Sequence, residues 1–132
     1  MGKWKQLIVA GNQLFEERRF DEALDYYQQA KERAHTLFNI WPDENAATAS
    51  LVVSYHNIAD LHSENGHRHL AYSALQDIHD FLSNQFKVCQ KNESRRMAIL
   101  QGISKADVEL IRFLSAHKAY QASHVRPTLR LN

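Results

Sequence analysis

Apolar side chains return at spacings of three and four along almost the whole chain, and this period constrains the fold most, because only a helix puts such positions on one face. Trp4, Leu7, Ile8, Gly11, Leu14 and Phe15 form a first stripe, and Ala23, Leu24, Tyr27, Ala30, Ala34 and Leu37 a second. Asp21 and Glu22 stand in the first turn of that second helix, where carboxylates meet the positive end of the helix dipole. Leu51, Tyr55, Ile58, Ala59 and His62 form a third stripe. Leu70, Ala74, Leu75, Ile78, Phe81, Leu82, Phe86 and Cys89 form a fourth, and Met97, Leu100, Ile103, Val108, Ile111 and Leu114 a fifth. The breaks between them carry helix-ending chemistry: Glu16-Glu17-Arg18-Arg19, Trp41-Pro42-Asp43, Asn65-Gly66 and Asn92-Glu93. Four glycines and two prolines in 132 residues are too few for the turns of a many-stranded sandwich or barrel. The pattern predicts an all-α fold of five helices in one domain over residues 1–120, with a flexible tail over 121–132. Gly102, inside the fifth helix, predicts close backbone packing there.

Charge excludes little globally, since sixteen Lys/Arg against fifteen Asp/Glu leave a formal net charge of +1. Residues 1–91 nonetheless carry a net −3 and residues 92–132 a net +4, so the last third is the basic end. Cys89 is the one cysteine, which rules out an intrachain disulfide and fits a reducing compartment, and its place on an apolar stripe predicts packing. Leu7 to Ala10 is too short for a signal peptide or a membrane span, and Gln6 stands where a myristoylation signal needs Ser or Thr. The expected location is the cytoplasm.

The chain also repeats itself. Leu7, Ala10, Gly11 and Leu14, followed by Ala23, Tyr27 and Ala30, make residues 4–37 resemble the tetratricopeptide repeat (TPR). Tyr55, Ile58, Ala59, His62, Gly66, Ala71, Leu75 and Ile78 make residues 52–85 resemble a second copy, with Ala59 for the usual glycine and His62 for the usual tyrosine. Gly11 and Ala59 lie 48 residues apart, against about 34 in a standard array, so a longer second helix or a bulged connection is expected in the first copy. No third copy follows, because aligning Gly102 with Gly11 puts Lys105 where a large apolar residue belongs. The helix over 93–120 reads instead as a cap. The resemblance covers two thirds of the chain and is similar to small bacterial proteins of this class. It implies helical hairpin repeats of TPR type and a non-catalytic module that binds a peptide or helix of a partner protein in the groove of its first and third helices. The other reading is a helical bundle without repeat logic.

Groove-facing positions are then Lys5, Ile8, Asn12, Phe15, Glu16, His56, Asn57, Asp60 and Ser63, with Ile8 and Phe15 as apolar anchors and the asparagines bonding partner backbone. Asn12 and Asn57 match the asparagines of the TPR subfamily that clamps chain-terminal carboxylates, but Ile8 stands at the clamp's lysine. His62, His67 and His69 flank one turn and could be weighed as a zinc site, yet His-x-His at a helix start points its rings apart, so no metal and no cofactor is expected. His56 lacks the lysine that supports a phosphotransfer histidine, and no phosphate loop, nucleophile elbow or HExxH is present. The chain reads as no enzyme. Arg95, Arg96, Lys105, Arg112, Lys118, Arg126 and Arg130 allow an alternative, a self-associating or nucleic-acid-binding regulator working through the basic C-terminal helix, although Asp107 and Glu109 interrupt the strip. Trp4, Phe15 and Trp41 predict an apolar patch on the first hairpin and, through it, a homodimer.

Overall fold

Five α-helices occupy residues 1–117, the part of the chain that the computed structural model describes: α1 (Gly2–Glu16), α2 (Phe20–Ile40), α3 (Glu44–Glu64), α4 (Arg68–Val88) and α5 (Glu93–Ala116). No strand is present among the described residues. Two of the helix starts, those of α3 and α5, carry a capping side chain: the Asp43 carboxylate accepts the Ala46 N–H at 3.0 Å, and Asn92 Oδ1 accepts the Arg95 N–H at 2.9 Å. The expected repeat limits at 37, 52 and 85 fall inside α2, α3 and α4, which are 21 residues long each. The helices are thus longer than those limits, and the connection at residues 41–43 is short. The end of the expected capping helix at 118–120 and the tail at 121–132 lie outside the described residues.

The 48-residue interval is kept in the backbone. Arg18 and Gly66, 48 apart, both take left-handed backbone angles, at φ 59° and 79°. The Arg18 N–H donates to the Phe15 carbonyl and the Arg19 N–H to that of Leu14, just as Gly66 donates to Ser63 and His67 to His62. α2 and α4 begin and end 48 residues apart. The turns that join α1 to α2 and α3 to α4 thus share one backbone geometry, although α1 is 15 residues long and α3 is 21.

Each helix packs on the next, and α3 packs in addition on α5 and, over a short stretch, on α1. Buried on nearly every side, α3 is the axis of the fold. Near the two hairpin turns, Leu7, Ile8, Tyr27, Ile58, Leu61, Leu75, Leu110 and Phe113 pack with buried alanines; toward the other end, Phe38, Leu51, Tyr55, Ile78, Leu82 and Ile99 form a second cluster. Trp4 touches both clusters, and its Nε1–H donates to Ser54 Oγ on α3 at 2.8 Å. Trp4 is thus a half-buried tie between α1 and α3, Phe15 is half-buried with its ring edge-on to Phe20, and Trp41 is exposed.

Two glycines mark the closest approaches. A Cβ on Gly11 would stand 2.5 Å from Tyr27 Cε1, and one on Gly102 would stand 2.7 Å from Thr48 Cγ2 and 3.0 Å from Leu82 Cδ1. The face of α5 that enters the core is also a correction. Ala98, Ile99, Gly102, Ala106, Leu110, Phe113 and Leu114 are buried, whereas Met97, Leu100, Val108 and Ile111 of the predicted stripe face solvent. Periodicity misassigns this helix because both of its faces are apolar, and the small residues of the true core face weigh little in a hydrophobic count. Cys89 lies just past α4, packed against the second cluster with its thiol toward the Asn92 carbonyl.

Candidate functional site

α1 and α3 run beside each other over the buried Tyr27 of α2, and the space between them is a cleft of about 250 Å³ lined by Asn12, Phe15, Glu16, Tyr27, Asn57 and Asp60. The local sequence explains the convergence. Residues three and four apart share a helix face, so Asn12, Phe15 and Glu16 project together from α1, and Asn57 and Asp60 from α3. Five of the residues named from the sequence, Asn12, Phe15, Glu16, Asn57 and Asp60, thus meet in one place.

Tyr27 forms the floor, and its hydroxyl donates to Asn12 Oδ1 at 2.5 Å. Because that bond occupies the amide oxygen, the Asn12 NH₂ group is what the asparagine can offer a ligand. Burial, reinforced by Asp60 and Glu16, pushes the Tyr27 phenol up to about 12. The Asp60 carboxyl is also raised above its ordinary value, first by burial of the carboxylate between helices and then by Glu109, with Arg112 opposing. Asp60 as a whole residue keeps much of its surface in water, so the crowding acts on the carboxylate and not on the whole side chain. The cleft therefore has an apolar side chain, Phe15, on its α1 wall and a carboxylate on each wall, Glu16 from α1 and Asp60 from α3. Such an arrangement can accept N–H donors and neutralise a cation; it repels a carboxylate.

The remaining expected residues go elsewhere. Ile8 is buried in the core at 9% exposure and is no groove anchor, because its position on α1 turns toward α2 and α3 instead of the cleft. Lys5 and Ser63 are exposed and lie outside the cleft. His56, one turn before Asp60 on α3, opens instead toward α5, into a hollow of about 300 Å³ shared with Val52, Val53, Ser104, Lys105, Val108 and Glu109. Its Nε2 is buried without a hydrogen-bond partner, and burial lowers its basicity, with Glu109 opposing. His62 is buried, with its ring 6.2 Å from that of His67. Burial and then His67 lower its pKa. Among the described residues, no three His, Cys, Asp or Glu side chains stand together as a metal site would require.

Sequence reasoning took Tyr27 for a core residue only. The signal available was the phenol itself, since a buried tyrosine needs a partner for its O–H and a phenylalanine does not. Two residues of the basic strip are engaged in the fold. Arg95 lies over the Phe38 ring at 4.1 Å and donates to the Phe38 carbonyl at 2.9 Å; Arg96 lies over Phe86 at 4.0 Å and donates to the carbonyls of Phe86 and Cys89. Each guanidinium closes the C-terminal end of a preceding helix. Lys118, Arg126 and Arg130 lie outside the described residues. No helix among the described residues is long and apolar enough to cross a membrane.

The protein family described as "Protein of unknown function (DUF2753)" matches residues 2–128. The chain belongs to this family. No curated protein and no solved structure matches it. The match runs through all five helices and the cleft, so α1 to α5 fall within the unit that defines the family.

Proposed function

We propose that the chain is a non-catalytic interaction module of TPR-like construction that holds a segment of a partner protein in the cleft between α1 and α3. The observation that carries this reading is the convergence of Asn12, Asn57, Glu16 and Asp60 around one cleft with Phe15 as its apolar side chain. The asparagines bond a partner's backbone, Phe15 covers an aliphatic stem, and the two carboxylates pair with a lysine or arginine at its end. The hairpin turn repeated at 48 residues supports the TPR-like description, with helices longer than that repeat ordinarily uses.

Carboxylate recognition of the clamp type is disfavoured on the same grounds. Ile8 stands at the clamp's lysine and is buried, and the cleft adds negative charge where a chain terminus would bring more. The test is fluorescence anisotropy with a panel of labelled peptides that differ only in carrying lysine, arginine, norleucine or glutamate at the central position. Basic peptides should bind best, and Glu16→Gln with Asp60→Asn should weaken them about tenfold, the equivalent of roughly 1.4 kcal/mol. Equal binding of norleucine and lysine peptides, or an unchanged affinity in the double variant, would remove the cleft from the reading.

A further inference from the structure

We infer that the outward face of α5 is the seam of a two-fold dimer of this chain. Met97, Leu100, Val108 and Ile111 are 51%, 42%, 50% and 48% exposed, and at about 100° per residue they fall within about 40° of Ser104, directly opposite the face that enters the core. The stripe is symmetric about that serine. Leu100 and Val108 lie four residues to either side of it, and Met97 and Ile111 seven.

That symmetry fits a second copy of the same helix. When two copies of a helix pair antiparallel about a two-fold axis at Ser104, Leu100 of one copy comes level with Val108 of the other, and Met97 with Ile111. On the helical wheel the paired positions lean to opposite sides of the stripe by equal angles, so they interlock instead of meeting head-on. Ser104, the smallest side chain of the stripe, stands where the two backbones come nearest. A helix of another protein would need none of this. The neighbouring hollow between α3 and α5, walled by Val52, Val53 and Val108, continues the apolar surface sideways and gives the interlocking side chains room. With 24 residues, α5 is about 36 Å long, which puts a contact along its length at the small end of specific interfaces, so the dimer forms at high concentration and dissociates on dilution. The cleft between α1 and α3 is lined by none of the seam residues, so both copies keep it open.

Sedimentation equilibrium on the full chain tests the pairing. A species of twice the 15.3 kDa chain mass should grow with concentration and vanish in Leu100→Glu/Val108→Glu, whose circular dichroism should match the parent because both side chains are about half exposed. Cross-linking tests the register in a Cys89→Ser background: Ser104→Cys should link to its own copy through a short bismaleimide. Met97→Cys and Ile111→Cys should each stay unlinked alone and link when mixed. A single species of 15.3 kDa at every concentration, as when the chain's own residues beyond α5 cover the stripe, would overturn the proposal. So would a dimer that survives the double glutamate variant, or Met97→Cys linking to itself.

Discussion

Gly11 and Tyr27 are a matched pair: the missing side chain of one makes room for the ring of the other, and the ring's hydroxyl in turn holds Asn12 at the cleft. Gly11→Ala should therefore act twice. The new methyl would sit 2.5 Å from the ring, well inside van der Waals contact, so Tyr27 must move, and overpacking of this kind costs about 1–3 kcal/mol in a urea melt. The same shift would loosen the Asn12 hydrogen bond and weaken peptide binding beyond what Asn12→Ala alone removes. A variant with unchanged stability and binding would show that the contact relaxes freely. Residue roles of this kind were half legible in the sequence. The helix faces of Asn12, Phe15, Glu16, Asn57 and Asp60 follow from spacing alone, but Ile8 and Tyr27 depend on which neighbour each faces, and spacing along one helix does not carry that information.

At the scale of elements, the repeated turn offers a comparison within one molecule. Gly66 takes its left-handed angle without a Cβ clash, whereas Arg18 takes the same angle with one. Gly66→Ala should cost about 1–2 kcal/mol, the steric penalty of that conformation. The reverse change, Arg18→Gly, should leave stability nearly unchanged. It relieves the strain, but it loosens the unfolded chain and gives up the guanidinium over the Phe20 ring and the exposed pair with Glu64, which is worth little in water. Equal and opposite effects in thermal melts would mean that side-chain contacts play no part at Arg18. The five helices were legible because the apolar stripes and the breaks at Asp43, Gly66 and Asn92 each have a local cause. Helix length was not, and neither was the orientation of α5. Both are settled by what packs against a helix from elsewhere, here Thr48 and Leu82 around Gly102 and the two arginines closing α2 and α4.

For the whole molecule, buried and half-buried histidines tie stability to pH. His35 on α2, hydrogen-bonded to the Tyr55 hydroxyl at 2.7 Å, and His56 and His62 on α3 all have their basicity lowered in the fold, chiefly by burial. Once unfolded, each titrates near its ordinary value of about 6.5. Between the folded and unfolded values the unfolded chain binds more protons than the native one, so stability falls as pH drops below about 6.5, by up to about 1.4 kcal/mol per pH unit for each histidine. Asp60 works the other way. Its carboxyl is raised in the fold, so protonation favours the native state as pH falls through that raised value toward the ordinary carboxylate range, and it offsets part of the histidine loss at the acid end. Urea midpoints should thus drop between pH 7 and pH 5 and flatten below. His56→Gln should reduce the slope with the least disturbance, because its Nε2 has no hydrogen bond to lose. An acid dependence that is absent in the parent would mean that these rings titrate alike in the folded and unfolded chain and that water reaches them through the helix packing; one equally steep in His56→Gln would mean the same of His56 alone.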